Sequence, residues 1–209
     1  MTRATLEDAL HGAAAAVRDR WVGHYERLET LGAGNFVHVA GTLAPHLRRT
    51  AALLARWGNR EALCVAGLYH AVYGTDGIHG ALVAHERRSV IAGAIGVEAE
   101  AIVYLYGACD RDAFHPRIGT PHETQFVDRF SRSEYGIAPS ALADFCELTL
   151  ANEFELACSS AAFSAKHGAS IAYLAGRMHA HASAQALAAC RGLDGVRASG
   201  RRAHAPDGL

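Results

Sequence analysis

Over most of the chain, apolar residues recur at spacings of three and four, the period of a helix with one buried face. Residues 5–30 carry Leu6, Leu10, Ala14, Val17, Trp21 and Tyr25 on such a stripe, and Gly32-Ala-Gly34-Asn35 breaks it. A second helix is predicted from Thr42, an N-cap residue, with Pro45 inside the first turn. Leu43, Leu47, Leu54 and Trp57 share its inner face, and Gly58-Asn59 ends it. Residues 61–73 are apolar nearly all round, which places that helix in the middle of a bundle. The stretch from Gly74 to Gly80 reads as a flexible loop. Helices over 83–95, stopped by Gly96, and over 97–109 follow.

Residues 111–137 hold Pro116, Gly119, Pro121 and Gly136 among many charges. They read as a long irregular segment, placed to act as a lid over any pocket. Two last helices, 139–160 and 168–190, close the bundle, and the tail from Gly192 reads as disordered. The resulting fold class is all-α: one helical domain over 1–190, followed by a 191–209 tail, without internal repeats. Alanine makes up about a fifth of the chain, in keeping with helix.

Composition narrows the function classes. A net charge of −1 argues against a nucleic-acid binder, which would present a basic face. No stretch approaches the roughly 20 apolar residues of a membrane span, and the acidic start does not read as a signal peptide. Cys64, Cys109, Cys146, Cys158 and Cys190 are widely spaced, without a C-x-x-C pair, and read as reduced core residues. A soluble cytoplasmic protein with a small-molecule substrate, no nucleic acid and no membrane partner is expected. The apolar face of the first helix serves either the core or a homodimer.

The 13 histidines call for an explanation. His11, His24, His167, His179, His181 and His204 read as surface residues, and His115 and His122 belong to the long loop. His46 and His70 differ. His46 lies on the apolar face of its helix, and His70 on the Leu63 and Gly67 face of the central helix. Asp110 ends a third apolar helix in line with Val103 and Tyr106. Two imidazoles and a carboxylate on inward faces suit a first-row divalent metal, whereas each taken alone is a buried polar group satisfied by hydrogen bonds.

The run Ala66-Gly-Leu-Tyr-His-Ala-Val-Tyr-Gly74, with His46 lying 24 residues before His70 and Cys-Asp-Arg closing a later helix, resembles the HD-domain superfamily. Residues 95–110 further resemble the region before the last aspartate of alarmone hydrolases. The likeness covers residues 36–112, about a third of the chain. It implies an HD-like helical bundle with His46, His70 and Asp110 as metal ligands. One departure stands out: Ala71 occupies the place of the signature aspartate, and Gly74 and Thr75 stand where the hydrolases carry an acidic pair. The chain thus looks like a divergent branch with an A-G-L-[YF]-H-x-[VI]-Y-G-T signature.

His38, His79 and His85 are candidates to replace the missing ligand. His38, Tyr73, Thr75 and His79 are candidate catalytic groups. Arg87 and Arg111 are candidate anion binders, guanidinium being the natural clamp for phosphate or carboxylate. The Asn152-Glu153-Phe154-Glu155 patch interrupts an apolar helix, and Glu153 within it reads as an exposed charge rather than an inward-facing one. The expected activity is hydrolase-type, with water activated at one divalent ion, Fe or Mn rather than Zn. The alternatives are a non-haem iron oxygenase on the same scaffold and a non-catalytic ligand-binding protein that lost the metal site.

Overall fold

The structure, a computed structural model, describes residues 21–39, 41–77 and 80–193. Among them the protein is mainly helical, with two small antiparallel strand pairs. The elements in order are α1 (Val22–Thr30), β1 (Val37–His38), β2 (Gly41–Thr42), α2 (Leu43–Arg56) and α3 (Glu61–Tyr69). Next come α4 (Arg88–Ile95), α5 (Val97–Ala108), α6 (Arg111–Phe114), β3 (Gln125–Asp128) and β4 (Ser133–Gly136). Then follow α7 (Pro139–Ser159), α8 (Ala161–Arg177) and α9 (Ala184–Arg191). Most of the first predicted helix, residues 194–209 of the tail expected to be disordered, and His79 lie outside the described residues. No described helix is long and apolar enough to cross a membrane.

The centre of the bundle is α3, as its composition requires: every residue from Leu63 to Tyr69 is buried. It packs chiefly between α2 and α5, with α7 across both. Gly67 makes the α2–α3 contact possible. A Cβ there would lie 2.6 Å from Leu54 Cδ1 and 3.3 Å from the Ala51 Cα. The helix ends at Tyr69, four residues before its apolar run does, with His70 as the C-cap. The chain then turns through Gly74, held at φ +78°, a conformation that glycine adopts without steric cost.

Two predicted elements differ in the structure. The irregular segment 111–137 is built: it forms α6, a 3₁₀ turn over His115–Arg117 and the β3–β4 hairpin. Buried Phe114, Phe126 and Phe145 hold it to α7, with ring centroids 4.9 to 6.4 Å apart. The strand pairs make all-α too strong a description. Likewise, the single helix expected over 168–190 is two. Helix α8 starts earlier, at the Ser160 cap, and α9 starts at Ser183, whose Oγ accepts from the Ala186 amide and donates to buried Glu147. Cys64, Cys109, Cys146 and Cys190 are buried, and Cys158 is partly buried.

Candidate metal centre

His46 projects from the second turn of α2, and His70 caps the C-terminal end of α3. Both are about 1% exposed. Their Nε2 atoms lie 3.2 Å apart, with ring centroids at 5.1 Å. From α7, Asn152 brings Oδ1 to 3.0 Å from His46 Nε2. The His38 ring, on β1, stacks on His46 at 4.4 Å.

The remaining contacts assign the protons. His70 Nδ1 faces the Gly67 carbonyl at 2.8 Å, which only accepts, so Nδ1 carries the hydrogen and Nε2 the lone pair. His46 Nδ1 faces the Glu155 carboxylate and donates to it in the same way. Asn152 Nδ2 donates to Glu153 Oε1 at 3.2 Å, which leaves its oxygen turned to His46. Two imidazole lone pairs and an amide oxygen therefore face one another in the buried interior. Such a cluster of acceptors needs an electropositive centre, either a proton on one nitrogen or a cation among them.

The charges around the pair are set by burial and partners. Burial, with the nearby His46, pushes His70 down to about 3, against the Gly67 hydrogen bond. Burial and His46 lower His38 to about 4. Burial alone would raise Glu155, but His46, Arg49 and Ser159 together hold it at about 2, so it is ionised. Arg49 Nε donates to its Oε1 at 2.5 Å, and Ser159 Oγ donates to the same oxygen.

Arg111, at the start of α6, stands at the edge of this cluster. Its guanidinium carbon lies 5.3 Å from the Tyr106 ring centre, and the Tyr106 ring in turn packs edge-on against His70 at 5.3 Å. Nη2 donates to Tyr106 Oη at 3.0 Å, and Glu153 Oε1 is 4.0 Å from Nη1. Among the described residues its guanidinium meets only these two side chains within bonding or ion-pair distance, although it is only 22% exposed. Glu153, expected to be exposed, instead sits half-buried between Arg111 and Asn152.

Other candidates are not brought to the pair. Asp110 stands at the N-terminus of α6, where its Oδ1 accepts from the Ala113 amide and satisfies an otherwise free helix donor. Among the described residues no three His, Cys, Asp or Glu side chains form a group that could hold a metal ion, so His46, His70 and Asp110 do not make the expected triad. Tyr73 turns away and donates to Glu100, which Arg88 also holds. Thr75 is buried in the turn after α3. His85 stacks on Phe130 at 4.2 Å, and Arg87 is exposed on the 3₁₀ turn before α4.

Residues 27–111 match a family model described as Domain of unknown function (DUF6817). The match includes His38, His46, His70 and Arg111 and ends before α7, so the Asn152 and Glu155 side of the cluster lies outside it. No curated protein and no solved structure matches the chain.

Asn152 and Glu155 stand out in the sequence only as members of a polar patch, without a role, and Ser159 does not stand out at all. Their signal is spacing: i, i+3 and i+7 on α7, matched by His46 and Arg49 at i and i+3 on α2.

Proposed function

We propose that this protein is a metal-dependent enzyme of the hydrolase type on an HD-like helical scaffold, acting on a small anionic molecule. The observation that carries the reading is the 3.2 Å approach of two Nε2 atoms whose Nδ1 positions are both committed as donors. Nitrogens bound to one ion at about 2.1 Å and 3.2 Å apart subtend roughly 100° at it, a normal coordination angle. The carbonyl and carboxylate behind them are the outer partners that metal-bound histidines ordinarily have.

In this reading His46 and His70 hold the ion, Asn152 Oδ1 is the third donor in reach, and the remaining positions are open to water and substrate. A bound divalent ion would supply Lewis acidity and a lowered pKa for its water. Glu155 and the Gly67 carbonyl keep the two rings turned inward. Arg111 presents guanidinium N–H groups to the anion in a largely buried setting, where a charge-assisted bond is strong. His38, stacked on His46, is the further imidazole available to accept a proton.

One observation favours a second reading, a ligand-binding protein without chemistry. Asp110 is committed to capping α6, and Ala71, buried at the place of the signature aspartate, offers no carboxylate. Elemental analysis of untagged protein, with titration of Mn²⁺, Fe²⁺ and Zn²⁺ into metal-stripped protein, separates the two. One ion per chain, lost in His70→Ala with helical content retained, supports the enzyme. A wild-type protein that takes up none of the three ions leaves the ligand-binding reading.

A further inference from the structure

We propose that Glu155 is a positioning residue: braced by Arg49 and Ser159, it takes the His46 Nδ1–H and so turns the His46 Nε2 toward His70 and Asn152. The inference rests on the metal-centre reading above and adds a residue that neither the family match nor the HD likeness reaches.

The geometry is that of a held carboxylate. Glu155 is fully buried on α7, and each of its oxygens is engaged. Oε2 takes His46, while Oε1 takes both Arg49 Nε and Ser159 Oγ. Arg49 and His46 stand one turn apart on α2, so a single helix supplies both the ring to be oriented and the cation that offsets the buried charge. Ser159, one turn beyond Glu155 on its own helix, pins the carboxylate rotamer. With three donors on two oxygens, the carboxylate cannot swing away without leaving a buried group unpaired. An imidazole whose Nδ1–H is fixed in this way has one orientation and one neutral tautomer. That tautomer bares Nε2, and the adjacent negative charge makes the nitrogen a better donor.

The Glu155→Gln variant is close in shape, but its amide must set an N–H against a donor, either Arg49 or Ser159 on one side or His46 on the other. Its test is Co²⁺ binding to metal-stripped protein, read by calorimetry and by the visible spectrum of the bound ion, with thermal unfolding of the stripped protein alongside. The expected result is a ten- to hundredfold weaker Co²⁺ affinity and an altered visible spectrum. Ser159→Ala, which keeps the carboxylate and Arg49, should lose less than Glu155→Gln. Wild-type Co²⁺ binding with an unchanged affinity and spectrum in Glu155→Gln overturns the positioning role, even if that variant melts lower. Absence of Co²⁺ binding in the wild type overturns the metal centre itself, and the positioning role falls with it.

Discussion

Replacing Gly67 with alanine places a methyl group between α2 and α3, three residues before His70. The added Cβ meets Leu54 Cδ1 at 2.6 Å and the Ala51 Cα and N at 3.3 and 3.5 Å. Carbon atoms in good contact sit about 3.5–4.0 Å apart. The Leu54 methyl must therefore retreat by about 1 Å, and Leu54 is fully buried, with little room to do so. The Ala51 atoms are backbone, so α2 itself must give by a few tenths of an ångström. With a side chain and helix backbone both displaced, overpacking costs about 2–3 kcal/mol, and the helix preference of alanine returns about 1 kcal/mol, leaving a net loss of about 1–2 kcal/mol. Gly93→Ala is the control: in α4, with nothing within 4 Å of the added Cβ, it should gain about 0.5–1 kcal/mol. Urea unfolding of both variants reads these signs from the midpoint at constant slope. A Gly67→Ala protein as stable as the wild type, or shifted in the same direction as Gly93→Ala, would refute the close approach of α2 and α3.

Two further outcomes follow from the buried network. Folded His70 and His38 are held at about 3 and about 4 against an ordinary 6.5, so the unfolded chain binds their protons first. Their contribution is whole above pH 6.5 and falls away toward those lower values, and that of Glu155 is lost from 4.5 down to about 2. All three have one sign: the urea midpoint should fall steadily from pH 7 to pH 4, on the order of a few kcal/mol in all, and a flat midpoint would contradict the buried neutral imidazoles. Ser183→Ala removes both the α9 cap and a hydrogen bond to buried Glu147, a loss of about 2–3 kcal/mol. A melting temperature within 1–2 °C of wild type, as about 1 kcal/mol moves it 2–4 °C, would remove Ser183 from that role.

The helical character, the central α3 and the inward placement of His46 and His70 were legible in the sequence, because a 3.6-residue period and an all-round apolar run depend on local order alone. The β3–β4 hairpin was hidden behind Gly, Pro and charges. Phe114 and Phe126, spread through that segment, make sense only once they meet Phe145 on α7. The break between α8 and α9 was equally obscure, since its cause is Glu147, 36 residues before Ser183 in the chain.

The candidate site divides along the same line. Local sequence assigned the two histidines to buried faces, and it placed Asp110 correctly at a helix boundary. At the N-terminal end of α6, however, a carboxylate satisfies a local amide, and no periodicity reveals that competing use. Asn152 and Glu155 approach His46 across more than 100 residues of chain, so only the packing of α7 over α2 decided that they complete the cluster. Periodicity specifies which residues face inward. Which inward faces meet is a property of the packed helices.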